Sequence, residues 1–297
     1  MRPIKPTLTD EDVIQFCLNG YIMYEGVIPE EINRQVYAYL EEHDSGEPSE
    51  ILKQPFFIDG VLLNETVAGA VRSLLGENFM LPHLMSNHRS VKPRESLGGW
   101  HWDAGAIISP PTVNYLQVFY LPQDVTLDMG PTAFLPGSHL INYDTAYMAH
   151  YGNFRNQFLT VAPAGSVLIT AYPIWHRATT KTSTATRNLL KYNYWRTVPP
   201  TRDWITDPNF DPITADYKGG DGRRGYTVFS QPRVSIEPVN VAAEMFNWLS
   251  GTLDQYRLVG AQGWPLETEK GYDPDYTRKL VNTYNNLAIE MKDYKRP

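Results

Sequence analysis

Hydrophobic and polar positions follow two different periods along this chain. In the first third they recur at helical spacing. Thr9 is placed to cap a helix whose first turn carries Asp10, Glu11 and Asp12. Val13, Phe16 and Cys17 then fall on one face, and Asn19-Gly20 ends the helix. Residues 21–27 predict a short strand. Pro29-Glu30-Glu31 opens a second helix that aligns Ile32, Val36 and Leu40, residues 43–50 read as a polar loop, and a third helix is expected over residues 67–75, ending at Gly76.

From about residue 80 the period shortens. Segments 80–92, 112–120, 161–171 and 188–198 have the β-branched and aromatic content of strands, with Pro110-Pro111, Pro131, Pro136-Gly137 and Pro163-Ala164-Gly165 between them. Helices followed by many short strands predict an α+β fold, mainly β, with helices packed on one side of an antiparallel core. After Pro199-Pro200 the texture changes again. Residues 201–224 read as a loop, 240–256 as a helix with Ala243, Phe246, Leu249 and Leu253 in register, and 276–291 as another helix.

Composition narrows the function classes. The chain has 297 residues, with 26 basic and 33 acidic side chains and a net charge of −7, so no global positive field draws nucleic acid. A single cysteine, Cys17, excludes an intramolecular disulfide and any multi-cysteine metal site, and reads as a small core residue. No export signal and no run of ~18 apolar residues is seen, so a cytoplasmic enzyme handling small molecules is expected, with no membrane and no nucleic-acid partner. Gly219-Gly220-Asp221-Gly222 lacks the Lys-Ser/Thr of a phosphate loop, and no G-x-S-x-G elbow is present.

The chemistry-bearing stretch is Gly98-Gly99-Trp100-His101-Trp102-Asp103-Ala104-Gly105. In extended chain, residues i and i+2 point to one side. His101 and Asp103 therefore present an imidazole and a carboxylate together, two ligands of the 2-His-1-carboxylate arrangement that leaves metal positions open for oxygen chemistry. The third ligand must be one of the remaining histidines among seven. His176 follows the strand-like run 166–171 and precedes Arg187 by eleven residues, so a returning strand brings a guanidinium near the metal, suited to a dicarboxylate. His139 is the rival and reads as a loop residue. His150 reads as exposed, and His83 and His88 as lining or bordering the pocket.

The order Leu8-Thr9-Asp10-Glu11-Asp12, Phe16, Gly20-Tyr21, Trp100-His101-Trp102-Asp103, Asp128-Met129-Gly130-Pro131, Phe134-Leu135-Pro136-Gly137-Ser138-His139, His176 and Arg187 resembles the phytanoyl-CoA dioxygenase family of Fe(II)/2-oxoglutarate oxygenases, over roughly residues 8–197. The resemblance implies a double-stranded β-helix (jelly-roll, cupin-like) core. It implies Fe(II) on His101, Asp103 and His176, Arg187 on the distal carboxylate of 2-oxoglutarate, and O₂ as oxidant. It implies that a small organic molecule is oxidised, most readily by hydroxylation, while 2-oxoglutarate is converted to succinate and CO₂.

Where the family often has a small hydroxyl residue two positions after the distal histidine, this chain has Ala178, and Thr179 offers that contact instead. Where many members have Trp on the strand after the H-x-D pair, it has Phe119. Asn87 and Gln117 stand as candidate hydrogen-bond partners of the co-substrate, or as polar positions on a solvated strand face. Trp100, Trp102 and Trp175 read as packing more than as substrate contacts, Arg177 as a surface or supporting residue, and Lys191, four residues after Arg187 and so on the same strand face, as an exposed lysine near the barrel rim more than as a pocket charge. The expected organisation is one oxygenase domain over 1–297. Residues 1–79 form helical support, 80–200 the core with the metal site, and 201–297 an extension suited to covering the pocket or joining copies of the chain. A zinc hydrolase on the same ligands and a non-catalytic jelly-roll binding protein are the alternative functions.

Overall fold

The computed structural model describes residues 3–103, 111–141, 152–210 and 232–255, with the backbone alone for 232–240. Helix α1 (Asp10–Asn19) begins as its sequence dictates. Thr9 accepts from the Asp12 amide, and the Asp12 carboxylate accepts in return from the Thr9 amide, which together satisfy two helix-end donors. Gly20 ends the helix at φ 78°, in the left-handed region. Strand β1 (Tyr21–Tyr24), helix α2 (Glu30–Glu42), the single turn α3 (Pro55–Phe57) and helix α4 (Glu65–Leu75) follow. Asn64 caps α4 through its side chain, and Gly76 terminates it.

The strands are β2 (Ser86–Asn87), β3 (Tyr115–Leu121), β4 (Thr132–Phe134), β5 (Phe158–Leu159), β6 (Ser166–Ala171), β7 (His176–Ala178) and β8 (Leu190–Trp195). They form a five-stranded antiparallel sheet in the order β1-β6-β3-β8-β2 and a three-stranded one in the order β5-β4-β7. The alternation of side chains divides the large sheet. Leu116, Val118 and Tyr120 of β3, with Leu190, Tyr192 and Tyr194 of β8, face the helices and join Val13, Val36 and Val71 in one core. Phe119, Leu121 and Leu168 point the other way, toward Phe134 of the small sheet, and close the jelly-roll interior.

Three expectations need correction. Residues 80–92 are not a continuous strand: β2 covers two residues, and Met80 and Ser90 add isolated bridges to Trp195 and Arg187. Pro82 has no amide to extend a ladder from Met80, and Pro93 closes the segment. The helix expected over 240–256 is α5 (Pro232–Leu249), because Gly251 turns left-handed at φ 72° and stops it. The strand expected over 112–120 is Tyr115–Leu121. Helix α5 packs beside α1. The helix expected over 276–291, His150 and most of the predicted loop after residue 210 lie outside the described residues.

Candidate metal centre and adjoining cavity

The small sheet continues through the H-x-D segment. His101 and His176 are opposite one another in an isolated antiparallel bridge, donating to each other's carbonyls at 3.0 and 2.8 Å, and Gly98 donates to Ala178 at 2.9 Å. Residues paired in this way project side chains to the same face, and the two imidazole centroids are 4.5 Å apart. Asp103, two residues beyond His101, returns to that face. One ligand atom from each of His101, Asp103 and His176 can be chosen so that all lie within 4.8 Å of one another.

Both rings are oriented by the same device. His101 Nδ1 bonds the Gly99 carbonyl at 3.0 Å, and His176 Nδ1 bonds the Ile174 carbonyl at 3.2 Å. A carbonyl accepts only from a protonated nitrogen, so in the neutral ring Nε2 keeps the lone pair. Those lone pairs face the carboxylate: His101 Nε2 lies 3.7 Å from Asp103 Oδ1, and His176 Nε2 lies 3.5 Å from Oδ2. His176 Nε2 is buried without a hydrogen-bond partner. Burial pushes the His176 imidazole down, toward its neutral form, against the pull of the Asp103 carboxylate beside it. For Asp103, burial favours protonation, but with His176 neutral the Lys191 ammonium on Oδ2 still pulls the other way, and the carboxyl is held well below the usual range. A neutral imidazole, a carboxylate and an orphaned buried nitrogen at one point are a donor set suited to a divalent metal.

The motif around His139 explains how His176 is held. Ser138 Oγ accepts from the Trp175 amide at 2.8 Å, and the Leu135 amide donates to the Trp175 carbonyl at 3.0 Å. The buried His139 bonds the Cys17 carbonyl through Nε2 at 2.9 Å and lies so close to Gly20 that an added Cβ there would fall 2.3 Å from Nδ1. His139 is thus a buried brace between α1 and the turn before β7, not a loop residue.

Arg187 is buried, pairs by its backbone with Ser90, and donates through Nη1 to the Gly130 carbonyl. Its Nε has no partner, and burial together with the nearby charge of Arg94 lowers its pKa to about 10. A buried cation with an unspent N–H suits an anion. Gln117 is buried and donates to Asp103 Oδ2 at 2.7 Å. Asn87 spends its amide on Asn188 and accepts from the Leu189 amide, and Thr179 donates its hydroxyl proton to the Pro131 carbonyl at 2.6 Å. Phe119 and Phe134 stand against the His176 ring at centroid distances of 5.3 and 5.5 Å.

Lys191 takes the pocket position and not the exposed rim, and Arg177 is a buried supporting residue and not a surface one. The Lys191 side chain is 10% exposed, and its ammonium pairs with Asp103 Oδ2 at 2.5 Å. Strand alternation puts it on the inner face, opposite Phe119. Arg177 is fully buried, with its guanidinium 4.6 Å over the Trp100 ring and bonded to Asn153. The sequence signal for Lys191 was its four-residue spacing from Arg187, which fixes the face but not the partner. Beside Asp103 opens a cavity of about 360 Å³, lined among others by His83, His88, Gln117, Lys191, Asn193 and Trp195.

The sequence profile of the phytanoyl-CoA dioxygenase (PhyH) family matches residues 16–189. The chain belongs to that family. It is accordingly an enzyme of the Fe(II)/2-oxoglutarate-dependent oxygenase class, whose cofactors are iron, 2-oxoglutarate and O₂. Among solved structures it is similar to HygX from Streptomyces hygroscopicus with nickel and 2-oxoglutarate bound, at 18% identity and TM-score 0.53 over 67% of this chain and 90% of that one. It is also similar to the non-heme alpha ketoglutarate dependent carbocyclase SnoK from nogalamycin biosynthesis, at 20% identity and TM-score 0.52 over 64% and 87%. These likenesses show the jelly-roll fold. No protein of curated function matches the sequence. Among the described residues no helix is long and apolar enough to cross a membrane.

Proposed function

We propose that this PhyH-family enzyme inserts oxygen into a small organic molecule, with His101, Asp103 and His176 as the ligands of Fe(II) and Arg187 as the anchor of the distal carboxylate of 2-oxoglutarate. The observation that carries the reading is the cluster of three ligand atoms, with a buried and unpartnered His176 Nε2 at its inner end. When bound, iron with 2-oxoglutarate supplies the oxidising chemistry, coupled to formation of succinate and CO₂.

The chain's own residues do the rest. The Gly99 and Ile174 carbonyls fix the tautomers and angles of the two imidazoles. Gln117 and Lys191 donate to one oxygen of Asp103, which leaves the other freer for a metal. Phe119 and Phe134 wall the His176 ring from water. Arg187 offers a planar fork of donors from a buried position, a role that neither a zinc hydrolase nor a plain binding protein would give it.

The test is to add Fe(II) and 2-oxoglutarate to the protein without oxygen. A weak visible charge-transfer band, absent when either component is withheld, is the expected result, with succinate formed once air is admitted. Absence of the band in protein shown to hold iron would overturn the assignment.

A further inference from the structure

Lys191 is a cation that the metal site does not need as a ligand, and it stands on the wall of the cavity. An ammonium has three donors. One is spent on Asp103 Oδ2, and the Lys191 side chain makes no other hydrogen bond among the described residues. Its side chain is nine-tenths buried, so water satisfies the others poorly. The charge of the site points the same way. Lys191 and Arg187 stand against the single carboxylate of Asp103, while a metal dication and the 2-oxoglutarate dianion cancel each other. One positive charge is left over, and Arg94 adds to its sign near Arg187. Asp103 is the one carboxylate among the described residues lining the cavity.

The rest of the lining sets size and shape. A volume of about 360 Å³ lies at the small end of ligand pockets, which run from ~300 to ~1,000 Å³. Trp195 and Tyr172 line it, with Tyr115 packed between them at centroid distances of 4.5 and 4.4 Å, an aromatic wall. Gln117 and Asn193, cross-strand partners on the same face, each carry a buried amide oxygen with no donor.

We infer that the cavity takes a small organic anion, a carboxylate or sulfonate, as primary substrate, and that Lys191 anchors its charged group. The inference rests on the proposed function, because it assumes that Asp103 is given to the metal. The anion neutralises the surplus charge and takes the unspent ammonium donors, while its body lies along the aromatic wall.

The test is calorimetric titration, without oxygen, of protein loaded with Fe(II) and 2-oxoglutarate. The probes are phenylacetate, hexanoate and benzenesulfonate, each against its neutral amide. At least one acid is expected to bind about tenfold or more tightly than its amide, the scale of one charge-assisted hydrogen bond. The carboxylate and sulfonate arms show which headgroup is preferred. Lys191→Met should bring the acid-to-amide ratio close to one, and Lys191→Arg should retain it. Each ratio is read within one protein, so a change in metal loading does not enter it. Equal binding of acid and amide by the wild type, binding of no acid, or a ratio unchanged in Lys191→Met would each overturn the inference. Failure to bind Fe(II) and 2-oxoglutarate in the loading step would instead overturn the proposed function.

Discussion

His139 Nε2 is tied to the Cys17 carbonyl, while His176 Nε2 lies equally deep with no hydrogen bond. The two histidines should therefore fail in different ways. His176→Ala should cost more metal affinity than the ~10–100-fold typical of losing a supporting partner, besides the stability lost to the cavity it opens beside Phe119 and Phe134. His139→Ala should still bind metal but lose about 2–4 kcal/mol of stability, from the cavity and the missing hydrogen bond. Metal titration and urea unfolding of both variants decide this, and metal binding lost in His139→Ala but kept in His176→Ala would reverse the assignment. At Arg187, lysine keeps the charge but not the planar fork. Arg187→Lys should raise the 2-oxoglutarate concentration needed for half-maximal succinate formation by about tenfold or more, with iron still bound. At this scale the sequence was legible where spacing alone fixes geometry, as in His101 and Asp103 two residues apart. It was silent where a partner comes from a distant strand. Nothing local to Lys191 reveals that Asp103 lies against it, 88 positions earlier in the chain.

Between elements, the same limit separates what could be read from what could not. Both ends of α1 and the C-terminal end of α4 were legible because their signals are local: Thr9 with Asp12, and glycines that accept a left-handed or extended turn. The start of α4, expected at residue 67, lies at Glu65, where Asn64 caps the amides of Thr66 and Val67. Segment 80–92 was not, because its alternation suits a strand while its prolines deny it a ladder. The anchoring of the segment after β8 was also invisible. The buried Asp10 carboxylate accepts from Arg202 Nε at 2.8 Å, Trp204 Nε1 at 2.7 Å and the Asp207 amide at 2.7 Å. One residue thus serves the α1 dipole and clips residues 202–207 onto the helix. Asp10→Ala leaves three donors and a part-buried guanidinium without their acceptor. The expected loss is about 3 kcal/mol, read as a lower urea midpoint. An unchanged midpoint would mean that the clip carries no stability. Succinate formation at temperatures well below unfolding should persist, because no atom of the clip touches the metal centre.

For the molecule as a whole, the resemblance drew on short pieces scattered from Leu8 to Arg187, and the fold explains why they occur together. Gly20 lies against His139, the turn before His139 holds Trp175, and Trp175 precedes His176. The H-x-D segment joins this assembly by backbone through the His101–His176 bridge and the Gly98–Ala178 bond, and by side chains through Asp103 with Gln117 and Lys191 and Trp100 with Arg177. A metal on His101, Asp103 and His176 would add a further link between the same chain segments, and 2-oxoglutarate on Arg187 would draw β8 into it. Ligands that bind only the folded state stabilise it by ~2.7 kcal/mol at a hundred times their dissociation constant. Loading with Mn(II) and 2-oxoglutarate should therefore raise the melting temperature by about 5 °C or more. The added protection should be local. Amide exchange at His101 and His176 should slow most, since both amides lie in the bridge that the metal spans, whereas Val36 and Leu40 in α2, remote from the bridge, should change little. Uniform slowing across the chain would show that the metal stabilises the fold without closing this edge of the small sheet. No slowing at His101 would place the metal elsewhere.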